Sequence, residues 1–164
     1  RYKFLFQKMD FVHYIFSRFE IAHLAKCPSG ELIIVDKTEI LKEVHHGYRE
    51  FHGKFKLPQS LIKSGRKWFH YCSWSTGELA IPDSITVIET SAFQGCIGIS
   101  SLKLPNGFTA IGENSFYSCS GFKGTLAIPT IVQSLGDGAF KLTSFDLITF
   151  YGSEMEFEMK VFTN

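Results

Sequence analysis

Residues 79–96 read LAIPDSITVIETSAFQGC, residues 102–119 read LKLPNGFTAIGENSFYSC, and residues 126–140 read LAIPTIVQSLGDGAF. These are three copies of one pattern, and a fourth precedes them. An aliphatic residue followed by proline anchors each: Leu57-Pro58, Ile81-Pro82, Leu104-Pro105 and Ile128-Pro129, with the prolines 24, 23 and 24 residues apart. Eleven residues beyond each proline stands Phe69, Phe93, Phe116 or Phe140. Three beyond is Leu61, Ile85, Phe108 or Val132, and six beyond is Ile88, Ile111 or Leu135, with Ser64 as the exception. Fourteen beyond is Cys72, Cys96 or Cys119, with Thr143 in the last copy. Five before each proline is Gly53, Gly77 or Gly124, with Ser100 the exception.

A fixed period near 23 residues with this internal order is the signature of a solenoid. The run Leu79-Ala80-Ile81 alternates with the period of a strand. The proline then ends it, because proline has no N–H to give a ladder. The apolar positions three, six and eleven further on turn inward. One coil cannot bury its inner face alone, so neighbours stack and their strands pair in parallel on one side. The expected fold is therefore α/β or mainly β, a leucine-rich-repeat-type solenoid of ~23-residue coils with a parallel sheet on one face. A phenylalanine in every coil forms an aromatic column, which accounts for much of the unusual use of phenylalanine, 17 of 164 residues.

The frame extends outward with losses. Gly30, Leu32 and Ile34 fit the strand positions, Val35 occupies the proline slot, and His46 stands where phenylalanine is expected. The chain thus divides into an N-terminal cap or degenerate coil over 1–29, a degenerate repeat over 30–52, four repeats over 53–146, and a partial repeat or C-terminal edge strand over 147–164. Val12, Ile15, Phe16 and Phe19 recur at helical spacing behind Asp10, which predicts a capping helix over 10–25, with a degenerate coil as the rival. Met155, Phe157, Met159 and Val161 alternate with Glu154, Glu156, Glu158 and Lys160, the pattern of a charged edge strand.

The strand ending in Ile-Pro, the Ile–Gly pair, the Ala-Phe or Ser-Phe and the following cysteine, with the link CSGFKGTLAIP at 119–129, resemble the BspA-like family of leucine-rich repeats. The resemblance covers residues 53–151 well and 30–52 poorly. It implies a protein-binding module of a surface or secreted protein of host-associated bacteria or parasitic protists, linked to adhesion, with no catalytic residues and no cofactor. An intracellular interaction scaffold of the same fold is the alternative, with a cytoplasmic location.

The residues themselves narrow the function further. A net charge of +1 offers no electrostatic pull on nucleic acid. No apolar run reaches the roughly 18 residues of a membrane span. Lys8, Asp10 and Arg18 interrupt any signal-peptide core. The chain begins with Arg1, so a missing signal or anchor says nothing about location. His45, His46, Glu50 and His52 lack the compact four-ligand spacing of zinc and read as surface or turn residues, as do the other histidines. His70 and Cys72 share a face, but no third group or oxyanion donor accompanies them. Cys72, Cys96 and Cys119 occupy one repeat position, so a ladder of inward-facing free thiols is expected. Trp68 and Trp74 flank the copy with polar Ser64 and are expected to repair its packing, with an exposed aromatic patch as the alternative.

Side chains on the outer face of the strands form the candidate protein-binding stripe: Glu31, Lys54, Lys56, Glu78, Ser101, Lys103 and Thr125, with Ile33, Ala80 and Ala127 between them.

Overall fold

The computed structural model describes residues 12–15, 31–34, 53–57, 59–151 and 162. Among them are short strands and turns and no helix. In chain order the strands are β1 (Val12–Ile15), β2 (Glu31–Ile34), β3 (Phe55–Lys56), β4 (Gly77–Ala80), β5 (Val87–Ile88), β6 (Ile99–Lys103), β7 (Ala110–Ile111), β8 (Thr125–Ile128), β9 (Ser134–Leu135) and β10 (Leu147–Phe150). Among the described residues every strand pairing is parallel, the topology of coils that repeat in one direction. Of the two classes expected, the fold is mainly β.

Each coil has three sides. The longer strands run on the first and pair as β1-β2-β3, β4-β6 and β8-β10. The second side is the narrow sheet β5-β7-β9, where Ile88 stands opposite Ile111 and Ile111 opposite Leu135. The third is a ladder of turns. Phe69, Phe93 and Phe116 donate their N–H groups to the carbonyls of Ala92, Ser115 and Ala139 in the next coil at 2.6, 2.8 and 2.9 Å. This repetition satisfies backbone groups that a turn would otherwise leave unpaired.

The phenylalanine column forms as expected. Phe69, Phe93, Phe116, Phe140 and Phe162 follow one another with ring centroids 5.5, 5.5, 5.4 and 6.0 Å apart. Phe93, Phe116 and Phe140 are fully buried. Leu61, Ile85, Phe108 and Val132 line the same core. Ser64, polar where other coils carry isoleucine or leucine, is buried because it serves the next coil. Its hydroxyl donates to the Val87 carbonyl at 3.1 Å and accepts from the Glu89 N–H at 2.9 Å.

Two expectations need correction. Val12–Ile15 do not form the capping helix. They are a strand in parallel register with Glu31–Ile34, and valine, tyrosine and isoleucine suit a pleated ladder better than a helix. The rest of 10–25, and the alternating segment 154–161, lie outside the described residues. Trp68 is buried as expected, 4.9 Å from the Phe69 ring and 5.6 Å from that of Phe93, but Trp74 is 54 % exposed. His70 lies in a turn, one of the two places expected, with its side chain buried and its ring 4.2 Å from that of Tyr71.

The turn ladder carries a feature with little trace in the sequence. Nine and thirteen residues beyond each proline slot the backbone is left-handed: Lys67 and Tyr71, Ser91 and Gly95, Asn114 and Ser118, Gly138 and Leu142. Only two of these eight are glycine, so the repeating backbone bonds hold L-residues in a region they ordinarily avoid.

Candidate protein-binding face

Alternation along the strands divides their side chains between core and solvent. On β4, Leu79 is buried while Glu78 and Ala80 are exposed; on β8, Leu126 and Ile128 are buried while Thr125 and Ala127 are exposed. Lys54, Lys56 and Lys103 also face solvent, and Ser101 is half-buried. Glu31 lies on β2 opposite Val12, and its side chain is outside the description. Register brings Glu78 beside Ser101 and Ala80 beside Lys103. The lysines of the expected stripe therefore flank a small-residue centre and are not paired in register with Glu78.

The stripe is not one continuous sheet. Pairing is interrupted between β3 and β4 and again between β6 and β8. Both interruptions coincide with a 24-residue spacing of the prolines, and in each the additional residue falls just before the strand. There stand Gly77 and Gly124, with φ of +84° and +72°, a conformation glycine adopts without steric cost. Where the spacing is 23, Ser100 replaces the glycine and β4 and β6 pair.

At the corner where the turns lead into the strands, Trp74 and Ile97 are both about half-exposed and border an open hollow of about 460 Å³ with Gly53, Ser73, Thr76 and Gly98. Sequence reasoning offered an exposed aromatic patch at Trp74 only as the alternative to packing, and it did not bring Ile97 to it. The signal available was Trp74 standing at the position occupied by Gly98 and Gly121 in the next coils.

Cys72, Cys96 and Cys119 stand as free, buried thiols. Cys96 donates to the Phe69 carbonyl and Cys119 to the Phe93 carbonyl, each at 3.1 Å, so each thiol ties its coil to the one before. Burial pushes the Cys119 thiol from 9.0 up to about 12, against the lowering effect of hydrogen bonds from the preceding coil. Burial also raises Cys96 well above its ordinary value, with Cys72 and Cys119 adding to the effect. Thiols so held are poor nucleophiles, because the thiolate is the reactive form.

Residues 39–164 match the model of the BspA type leucine rich repeat region, in six copies. The chain belongs to the BspA-type leucine-rich repeat family. No curated protein and no solved structure matches the chain significantly. BspA-type chains are typically surface or secreted proteins, and leucine-rich repeat domains are in general non-enzymatic protein-interaction modules. For this BspA-type chain, no helix among the described residues is long and apolar enough to cross a membrane.

Proposed function

We propose that this chain is the protein-binding part of a cell-surface or secreted protein that adheres to a host protein, and that the partner lies across the strand face. The observation that carries the reading is the outward row Lys54, Lys56, Glu78, Ser101, Lys103 and Thr125, set on consecutive coils by the repeat. An extended face of small and charged side chains on rigid strands suits a broad protein partner more than an enclosed small molecule. Adhesion and the host partner come from the family, whose members are typically surface or secreted.

The test is capture from host extracellular matrix and from cell lysate by the native chain and by a variant carrying Lys54→Glu, Lys56→Glu, Glu78→Lys and Lys103→Glu. The reading expects a matrix protein retained by the native chain and lost by the variant, mainly through a slower association rate. Equal retention by both removes the strand face. A second reading, an intracellular interaction scaffold, is favoured by the three unpaired thiols, since reduced cysteines are usual where glutathione keeps them so. Capture of a partner from lysate alone supports that second reading.

A further inference from the structure

We infer that the interval between β6 and β8 is a docking seam for a short extended segment of a partner protein, one in which apolar residues alternate with acidic ones. The inference rests on the strand-face reading and specifies how that face engages its partner.

Consecutive coils place β6 and β8 side by side, yet no strand pairing joins them. Their Cα atoms lie almost throughout more than 8 Å apart, whereas paired strands lie about 4.8 Å apart. The seam is bounded before the strands, where the Lys123 N–H donates to the Ser100 carbonyl at 2.9 Å, and after them, where the Gln133 N–H donates to the Thr109 carbonyl at 2.7 Å. Along the strands, from Thr125 to Ile128, it stands open. Direction follows from the bonds that do form. On β6, the Lys103 carbonyl accepts from Ile81 on the β4 side, so the N–H and C=O groups of Leu102 and Leu104 point the other way, toward β8. On β8, the Ile128 carbonyl accepts from Tyr151 on the β10 side, so those of Thr125 and Ala127 point toward β6. No hydrogen bond connects these two rows. Two facing edges of unpaired donors and acceptors are a template for an extended backbone.

The floor gives a second, independent sign. Leu79, Leu126 and Ile128 are buried, but Leu102 and Leu104, at the same repeat positions in the middle of the stack, are only partly so. Apolar side chains projecting inward from an inserted segment would cover them. The rim sets the alternate residues. Lys103 and Lys123 flank the seam and are exposed. The nearby Asp146 carboxylate is turned to the far side of β8, where it accepts from the Gly124 N–H at 2.9 Å. Outward carboxylates on the inserted segment therefore meet two free ammonium groups. Small apolar residues facing in, acidic residues facing out and an extended backbone together describe the occupant.

The probe is a short capped peptide alternating valine and glutamate, read by amide hydrogen exchange on the intact chain. In the free protein the amides of Leu102, Leu104, Thr125 and Ala127 should exchange faster than that of Ile81, which is paired. Adding the peptide should slow those four by about tenfold or more. A peptide N-methylated at alternate amides should have no such effect, and one with lysine for glutamate should need more salt or concentration. Deleting Gly124 restores the 23-residue spacing, lets β6 and β8 pair, and should abolish the response. Protection of the four amides in the free chain, or no slowing by the peptide, overturns the seam whatever the deletion does. If charge reversal of the strand face still abolishes capture of a natural partner, the face stands and only the seam is lost. If neither responds, both readings fall.

Discussion

The rings of Phe93 and Phe116 lie 5.5 Å apart with their planes within 3° of parallel, and Phe116 repeats the relation with Phe140 at 5.4 Å and 4°. Each ring fills the space left by its neighbour's coil, so the column holds the stack in register. Phe122 adds an edge-on contact to Phe116 at 5.9 Å, which leaves the central ring enclosed on every side described. Phe116→Ala should therefore cost about 3–5 kcal/mol of unfolding free energy in denaturant titration, the usual range for emptying a buried aromatic site. A loss below about 1 kcal/mol would mean the coil collapses into the space or the ring is not core.

Cys119 couples stability to alkaline pH. Its folded-state value of about 12 lies above the 9.0 of an ordinary thiol. The folded state thus holds the proton more tightly than the unfolded state. The contribution is fully present below pH 9.0 and is lost as pH rises toward about 12. The full loss is on the order of 4 kcal/mol at about 1.4 kcal/mol per pKa unit. Denaturant midpoints of the native chain and of Cys119→Ala, compared from neutral pH into that window, should converge as pH rises. A constant gap would contradict a protonated, buried Cys119.

Glycine positions should divide sharply by what lies beside them. A Cβ on Gly121 would fall 2.1 Å from the Ile97 carbonyl oxygen and 2.7 Å from that of Ile99, both rigid backbone. A Cβ on Gly107 would meet nothing within 4 Å. Gly121→Ala should therefore destabilise by about 1–3 kcal/mol or more, and Gly107→Ala by less than about 0.5 kcal/mol. Thermal melts of the two variants side by side decide the matter, and equal shifts would contradict the close approach of coils at Gly121.

Much of this fold was legible because a solenoid writes the same instruction several times. Phe93, Phe116 and Phe140, and Cys72, Cys96 and Cys119, share positions, and position alone predicts a column and a set of buried free thiols. The left-handed sites escaped for the opposite reason. Lys67, Tyr71, Ser91, Asn114, Ser118 and Leu142 share a backbone conformation without sharing a residue type, since bonds between coils impose it. Trp74 was misplaced because its bulk was weighed above its phase, the slot that Gly98 and Gly121 fill in the next coils. The seam was half-visible. The spacings 24, 23 and 24 and the glycine missing at Ser100 were on view, but a one-residue insertion does not say whether a ladder bends or opens. Of the candidate stripe, alternation reached the exposed Lys54, Lys56, Glu78, Lys103 and Thr125; Ser101 is half-buried, and alternation did not reach where the sheet breaks.

Hydrogen-exchange footprinting of the native chain with its captured partner shows whether a protein lies across the strand face. Slowed exchange is expected over β3, β4, β6 and β8, with the turn ladder from Asn114 to Ser118 unchanged. Protection confined to that ladder, or to the Trp74–Ile97 corner, would contradict it.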